Sequence, residues 1–153
     1  MKNWIPPEGF LIEFASNSAE ETFALGRRIA ASVEGGSVIA LRGELGSGKT
    51  CLAKGIAAGL GIGETVTSPT YTIIREYEKD GSPALFHIDA YRLENDDDFA
   101  RLGGDEIISG GGISVIEWSE KIPKSLPEDA VTIAIEITGP SSRLLRISGL
   151  ESL

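Results

Sequence analysis

Eight residues in the first third of the chain restrict its fold more than any other part of the sequence. Residues 43–50 read GELGSGKT and match the pattern G-x-x-x-x-G-K-[ST] in full. The pattern requires a buried strand before it and a helix that begins at its end. Both are present, because the mostly apolar residues 37–42 precede it and Leu52, Ile56 and Leu60 form a helical stripe after it. The segment therefore predicts a phosphate-binding loop (P-loop).

The residue types of this loop suit a bound triphosphate. Glycines let the backbone wrap around an anion and aim N–H groups at its oxygens. The N-terminus of the following helix adds the positive end of a dipole. Lys49 supplies a positive charge to the β- and γ-phosphates, and Thr50 offers a hydroxyl to magnesium. A chance glycine-rich turn is the alternative, and the strand and helix around the loop disfavour it.

Two carboxylates are candidates for the second acidic group that a P-loop requires. Asp89 ends the segment ALFHID, and Glu117 ends the segment ISVIE. Each stands where an apolar run stops, near the expected carboxyl edge of the sheet. One acid holds the metal and the other orients the attacking water, and the residues alone leave open which does which.

The remaining patterns predict an α/β protein with a three-layer P-loop NTPase fold, its sheet mostly parallel with antiparallel additions. Helices and strands alternate early, whereas strands dominate late. We predict strands at 11–15, 37–42, 72–78, 84–88, 113–116, 131–138 and 143–148. We predict helices from Ser18 to about Ala31, from the P-loop to about Leu60, and over 95–103 with Phe99 and Leu102 facing inward.

Length and charge limit the class of protein. The 153 residues predict one domain, 1–153, and the single Cys51 permits no internal disulfide, which favours a reducing, cytoplasmic compartment. The chain contains no run of 18 apolar residues, so we expect no membrane span. The net charge of −9 disfavours direct binding to nucleic acid. We therefore expect any connection to RNA to run through a partner protein.

Several residues near these motifs have two readings each. Thr67, Ser68 and Thr70 fall in TSPTY after the P-loop helix, where hydroxyls of a switch segment reach the γ-phosphate; a plain Ser-Pro turn is equally favoured. Trp118, beside Glu117, is either a core residue or a side chain that packs against nucleotide. For His87, the one histidine, a structural role is favoured over a catalytic one.

Four motifs taken together point to a family. The segments GELGSGKT (43–50), TSPTYTI (67–73), HIDAYRL (87–93) and IEWSEKIP (116–123) occur in this order. The set resembles the TsaE family, the ATPase component of bacterial threonylcarbamoyladenosine tRNA modification. The P-loop by itself is generic, whereas the combination is specific. One departure is Ser119, which stands where many relatives have a proline after the Glu-Trp pair.

The resemblance implies a role for each motif. ATP and Mg²⁺ are the implied cofactors, with Thr50 and Glu117 binding magnesium and Asp89 in the Walker-B or catalytic role alongside Lys49. Thr67, Ser68 and Thr70 would form the switch. The residues that would contact the nucleotide are Leu45, Gly46, Ser47, Gly48, Lys49, Thr50 and Trp118. More weakly, the first helix around Ser18 and Ala19 and the hairpin before Arg143 would frame the base and ribose.

The resemblance also implies a biological role. The family works with a two-protein complex that builds threonylcarbamoyladenosine at adenosine 37 of tRNA. The chain would bind and slowly hydrolyse ATP to reset that complex between rounds. It would transfer no threonylcarbamoyl group itself, and it would meet tRNA only through the complex. The alternatives are a small-metabolite P-loop kinase and a nucleotide-gated binding module. A GTPase is disfavoured because the chain has no N/T-K-x-D motif.

Overall fold

A mixed β-sheet lies at the centre of the computed structural model, which describes residues 11–63, 66 and 73–153. Its seven strands are β1 (Leu11–Ser16), β2 (Val38–Gly43), β3 (Ile74–Tyr77), β4 (Leu85–Asp89), β5 (Ile113–Glu117), β6 (Val131–Ile137) and β7 (Arg143–Ser148). The helices are α1 (Ala19–Ala30), α2 (Lys49–Gly59), α3 (Asp96–Arg101) and α4 (Gly104–Ile108), with a 3₁₀ turn at Ser119–Lys121.

The strands follow the order β1-β7-β6-β2-β5-β4-β3. The four inner strands β6, β2, β5 and β4 are parallel to one another. The outer strands β7, β1 and β3 pair antiparallel to their neighbours. The predicted α/β fold is confirmed, with a parallel centre and antiparallel additions. Because β4 and β5 are parallel neighbours in register, their last residues, Asp89 and Glu117, lie directly opposite each other.

Two apolar cores separate three layers. Helices α1 and α2 cover one face of the sheet, and α3, α4 and the 3₁₀ turn cover the other. Side chains of β2 point alternately to the two faces of the sheet and contribute to both cores. Ile39 and Leu41 belong to the first core, under α1 and α2, and Val38 belongs to the second. Buried members of the first core include Leu25, Ile29, Leu52, Ile56 and Ile133, and those of the second include Ile88, Phe99, Ile116 and Ile122.

Helix α1 begins with the predicted capping box. The Ser18 hydroxyl accepts a hydrogen bond from the Glu21 N–H at 3.1 Å, and the Glu21 carboxylate accepts one from the Asn17 N–H at 2.7 Å. Helix α1 packs closely on α2. At Gly55 of α2 a Cβ atom would overlap the Phe23 carbonyl of α1, so the close approach of the two backbones requires a residue without a side chain at this position. This contact sets the position of the helix that leaves the P-loop.

The acidic helix predicted over 95–103 is α3, and a second short helix, α4, follows it where no helix was predicted. Asn95 caps α3 through a hydrogen bond from the Asp98 N–H at 3.0 Å, and α3 ends at Arg101. Phe99 is buried as predicted, but Leu102 is 45% exposed and its predicted inward orientation was wrong. Leu102 is the C-cap of α3, so the helical spacing from Phe99 no longer directs its side chain. Helix α4 is five residues long, too short to show a period in sequence.

The helices of the described residues 11–63, 66 and 73–153 are short. The longest, α1, has 12 residues. Within those residues no helix combines the length and the apolar character that a membrane crossing requires.

Candidate functional site

The P-loop runs from the end of β2 into α2 at the carboxyl edge of the parallel strands, in the predicted strand–loop–helix context. Gly48 is the N-cap of α2, and no side chain caps the helix there. The first N–H groups of a helix have no intrahelical acceptor, so they face an incoming anion together with the positive end of the dipole. The φ of Gly48 is 111°, a left-handed conformation that a residue with a side chain adopts only with strain.

Lys49 turns back onto its own loop. Its ammonium donates to the carbonyls of Gly43 at 2.6 Å and Glu44 at 2.9 Å, and it lies 4.1 Å from the centre of the Trp118 ring. Burial lowers the pKa of Lys49, and the nearby Glu117, together with other carboxylates, opposes that shift. The arrangement holds a desolvated cation beside the uncapped helix end, where a phosphate would meet it.

Glu117 is the best-anchored carboxylate of the site. The Thr50 hydroxyl donates to both of its oxygens, at 3.0 and 3.2 Å. His87, buried in β4, makes a 2.5 Å contact from Nε2 to the same carboxylate. The structure thus places the two residues expected to bind magnesium side by side and orients one of them through a third. His87 touches Glu117 and lines neither cavity at the loop, so it acts as a positioning residue.

Asp89 differs from Glu117 in its surroundings. It is half-buried at the end of β4, and its Oδ1 accepts a hydrogen bond from the Tyr91 N–H at 3.0 Å. Burial raises the pKa of Asp89, and the charge of Glu117 adds to the rise, whereas the Tyr91 hydrogen bond opposes it. Asp89 therefore offers a carboxylate of raised proton affinity opposite the anchored Glu117.

Trp118 occupies a strained backbone position beside Glu117. Its φ of 57° is positive, which is uncommon for a residue with a large side chain. Its ring lies 5.0 Å from the Tyr91 ring and covers the Lys49 ammonium. The next residue, Ser119, is buried and donates to the Leu41 carbonyl of β2 at 3.0 Å. Ser119 therefore ties the strained turn to the strand that leads into the P-loop.

Arg143, at the start of β7, reaches the P-loop from the other side. Its Nε donates to the Ser47 carbonyl at 2.9 Å and its Nη2 to the Gly46 carbonyl at 3.2 Å. Its Nη1 donates to the carbonyls of Gly139 and Ser142 at 3.0 and 2.8 Å. The β6–β7 hairpin is thus fastened to the loop. The sequence predictions concerned only the hairpin before Arg143, as a frame for base and ribose, because no local pattern indicates a contact between residues 96 positions apart.

Two cavities meet at the P-loop. The larger, of about 370 Å³, is lined by Leu45, Gly46, Ser47, Gly48, Lys49, Thr50, Cys51, Asp89, Tyr91, Glu117 and Trp118. The smaller, of about 200 Å³, is lined by Ser18, Ala19, Thr22, Ser47, Gly48, Cys51, Pro140, Ser141 and Arg143. Because they share Ser47, Gly48 and Cys51, the two cavities adjoin across the loop. Together they form one cleft, with a wider end that contains Asp89 and Glu117 and a narrower end at the hairpin.

Most predicted site residues converge in this cleft. Leu45 lies at its rim with 84% of its surface exposed. Thr67, Ser68 and Thr70 lie outside the described residues, so their predicted role as a switch stays a prediction. Cys51 contributes a half-buried thiol, whose pKa is raised by burial and whose Sγ donates to the Ala19 carbonyl at 3.3 Å. The predicted site residues did not include Tyr91, and the structural role favoured for His87 was not connected with Glu117. The H-x-D spacing, which puts His87 and Asp89 on one face of β4, was the available signal.

The side chains at the wide end fit a magnesium ion that is shared with phosphate. Mg²⁺ takes oxygen ligands and is usually held by one or two carboxylates plus substrate phosphates and water. Thr50 and Glu117 supply such oxygens next to each other. Within residues 11–63, 66 and 73–153, no group of three or more His, Cys, Asp or Glu side chains forms a metal site by itself. A cation beside Thr50 and Glu117 could therefore include phosphate oxygens and water among its ligands.

Comparisons with known proteins agree on one family. The family model described as threonylcarbamoyl adenosine biosynthesis protein TsaE matches residues 16–145. A tRNA threonylcarbamoyladenosine biosynthesis protein TsaE from Treponema pallidum is 41% identical over 133 residues, which are 87% of this chain and 97% of that protein. Its Bacillus subtilis counterpart is 42% identical over 132 residues, 86% of this chain and 82% of that protein.

A solved structure also matches this chain over most of its length. The crystal structure of Bacillus subtilis YdiB superimposes with a TM-score of 0.77 and 36% sequence identity. The match covers 90% of this chain and 84% of that one.

Proposed function

The chain belongs to the TsaE family of threonylcarbamoyl adenosine biosynthesis proteins, and from this premise we propose that it binds and slowly hydrolyses Mg²⁺-ATP in the cytoplasm. It takes part in the biosynthesis of threonylcarbamoyladenosine in tRNA. In the proposed role, hydrolysis resets the two-protein complex that builds this nucleoside. The chain itself transfers no threonylcarbamoyl group, and tRNA is met through the complex.

One observation carries the ATPase proposal. A cation, a hydroxyl and an anchored carboxylate converge at an uncapped helix N-terminus: Lys49, Thr50 and Glu117. A triphosphate needs positive charge and N–H donors, and the magnesium that accompanies it needs oxygen ligands. The cleft offers both in one place. Its narrower end at Ser18 and the hairpin adjoins the P-loop and provides space for a nucleoside.

Each residue has a task in this proposal. The Lys49 ammonium exchanges its bonds to the loop carbonyls for phosphate oxygens. The Thr50 hydroxyl and Glu117 hold the metal, while His87 fixes the direction of Glu117. Magnesium, when bound, neutralises charge that develops on the phosphate oxygens. Asp89, whose pKa is raised by burial, orients the attacking water and accepts its proton. Trp118 and Tyr91 form an aromatic wall that keeps bulk water from the Lys49 side.

The proposal predicts that Lys49→Ala abolishes ATP hydrolysis and weakens ATP binding by about 100-fold or more, since a desolvated charge–phosphate contact is lost. Lys54→Ala is the matched control, because Lys54 is exposed on the same helix and lines neither cavity. Binding is measured by titration calorimetry with a non-hydrolysable ATP analogue, and hydrolysis by phosphate release. Full activity in the Lys49 variant would refute the proposed site.

The product of the reaction separates this proposal from the kinase alternative. Release of inorganic phosphate into water, unaffected by a panel of small hydroxylated acceptors, supports an ATPase. Transfer of the γ-phosphate to such an acceptor would instead establish a small-metabolite kinase. Tight ATP binding with no hydrolysis, even in the presence of the partner complex, would show that the protein is a nucleotide-gated binding module.

A further inference from the structure

Arg143 donates hydrogen bonds to four backbone carbonyls in two separate segments of the chain. Its guanidinium donates to Gly46 and Ser47 of the P-loop and to Gly139 and Ser142 of the β6–β7 hairpin. A planar guanidinium that donates to four carbonyls fixes their positions relative to one another, which the flexible ammonium of a lysine cannot do. The contact is therefore built to set the geometry of the loop.

The charge of Arg143 has no carboxylate partner among the residues that the structure describes. Arg146, three residues further along β7, contacts Glu136 at 3.4 Å, and Arg101 contacts Asp98 at 3.6 Å. No such ion pair involves Arg143 within residues 11–63, 66 and 73–153. Neutral carbonyl dipoles solvate its charge without cancelling it. Its positive field therefore adds to the potential at the P-loop.

Fastening a carbonyl also directs the N–H of the same peptide unit. In a trans peptide the C=O and N–H bonds point in opposite directions, and the described residues contain no cis peptide. Holding the Ser47 carbonyl toward Arg143 turns the Gly48 N–H away from it. Holding the Gly46 carbonyl fixes the Ser47 N–H, which donates to the Glu44 carbonyl at 3.0 Å. That same Glu44 carbonyl accepts from Lys49.

We propose that Arg143 is a positioning residue that sets the P-loop amides for the phosphates by holding the carbonyls of Gly46 and Ser47 from the β6–β7 hairpin. The inference rests on the proposed binding of a triphosphate at the loop. Arg143 touches no phosphate in this role. It acts through the direction of the Gly48 N–H and through the turn that presents Lys49.

Inorganic tripolyphosphate is the probe that isolates this role, because it has phosphates and no nucleoside. If Arg143 acts through the loop, its loss lowers the affinity for tripolyphosphate and the affinity for ATP by the same factor. If Arg143 instead contacts base or ribose in the smaller cavity, only ATP is affected. Titration calorimetry with both ligands, in the presence of Mg²⁺, therefore separates the two roles.

Three variants of the full chain complete the experiment. Arg143→Lys keeps the charge and loses the fork, Arg143→Ala loses both, and Arg146→Lys is the matched control on the same strand. We expect Arg143→Lys to lower the affinity for both ligands about tenfold, and Arg143→Ala to lower it further. We expect Arg146→Lys to bind both as the unaltered protein does. An Arg143→Lys variant with unchanged affinity overturns the proposal, as does a loss confined to ATP.

A measurement on the unaltered protein covers the case in which the variants fail to fold. The Arg143 Nε–H, which donates to Ser47, should give a proton NMR signal that exchanges slowly with water and is retained when tripolyphosphate is added. A rapidly exchanging signal in the free protein overturns the proposal. The Lys49→Ala variant provides the separate check on the premise. If Lys49→Ala binds tripolyphosphate normally, then the proposed phosphate site fails, independently of Arg143.

Discussion

At the scale of single residues, the centre of the site is a carboxylate whose direction is fixed by its neighbours. Glu117 receives the Thr50 hydroxyl and the imidazole of His87, and it is 4% exposed. In the proposed magnesium site, a carboxylate held in this way is already oriented for the metal, which lowers the cost of ordering it on binding. If the proposal is correct, substituting His87 weakens the affinity for magnesium although His87 is not itself a proposed ligand.

We predict that His87→Ala raises the Mg²⁺ concentration needed for half-maximal ATP hydrolysis about tenfold or more, because Glu117 loses a positioning partner. His87→Gln, which retains a donor of similar reach, should recover part of the loss. The measurement is a magnesium titration of phosphate release, with circular dichroism melting to confirm that both variants fold. An unchanged magnesium dependence in His87→Ala would show that the 2.5 Å contact has no role in metal binding.

Asp89 leads to a prediction about stability and pH. Burial raises its pKa in the folded protein, so the charged form is less favourable there than in the unfolded chain. Both states are protonated below the ordinary Asp pKa of about 3.9, and the destabilisation grows with pH until the raised folded pKa is passed. Asp89→Asn removes the charge and keeps an acceptor for the Tyr91 N–H. We therefore expect this variant to unfold at higher temperature at neutral pH, with the gain disappearing near pH 3, and to hydrolyse ATP slowly.

Thermal melts of the Asp89→Asn variant and the unaltered protein between pH 3 and 8 test this expectation. Asp129→Asn is the control, because Asp129 is exposed and lines neither cavity. A neutral-pH melting temperature lower than that of the unaltered protein would contradict the argument from burial.

At the scale of elements, helix α2 transmits the packing of the core to the P-loop. The helix starts at Lys49, and its far side packs on α1, where Gly55 admits the Phe23 carbonyl. A shift of α2 therefore moves its N-terminus and the loop. Strands β4 and β5 have the matching role for the acids, because their parallel register puts Asp89 opposite Glu117.

We predict that Gly55→Ala destabilises the protein by about 1–3 kcal/mol, since the added methyl group forces the two helices apart. Nucleotide affinity should fall as well, although Gly55 lines neither cavity. Gly63→Ala is the matched control, because a Cβ there meets nothing within 4 Å. Urea denaturation gives the free energy of unfolding. A Gly55→Ala protein as stable as the control would contradict the close approach of α1 and α2.

At the scale of the whole molecule, charge and the open cleft support the proposed docking of this chain on a partner complex. The chain carries a net charge of −9, which opposes direct binding to RNA. The exposed Leu45 and Tyr91 stand at the rim of the cleft, 84% and 55% exposed. Isolated P-loop proteins are often slow because a partner supplies a group that stabilises the transition state.

We predict that ATP hydrolysis by the isolated chain is slow and rises about tenfold or more when the two-protein threonylcarbamoyl-transferase complex is added, because docking completes the site. Phosphate release is measured with and without the complex at equal ATP. The complex mixed with the Lys49→Ala chain is the control for ATP hydrolysed by the partners themselves. Equal rates with and without the complex would contradict the docking proposal.

Local patterns were sufficient to determine much of this protein. The P-loop, the capping box at Ser18 and the strands that end at Asp89 and Glu117 all follow from residues close together in sequence. Each depends on backbone geometry or periodicity within a few residues, so the sequence expresses it directly. The α/β fold followed from their order. The failures, at Leu102 and at the short helix α4, came where an element ends too soon for a period to develop.

Tertiary structure alone decided how these pieces act together. The register of β4 against β5 put two strand-end acids opposite each other, and the long-range contacts of His87 and Ser119 fixed Glu117 and Trp118. Arg143 contacts the P-loop at Ser47, which is 96 positions away in sequence. Such contacts depend on sheet order and packing, which no local window of residues specifies. The candidate phosphate-binding groups can therefore be read from residues close together in sequence, whereas the fold shows which of these groups hold the others in place.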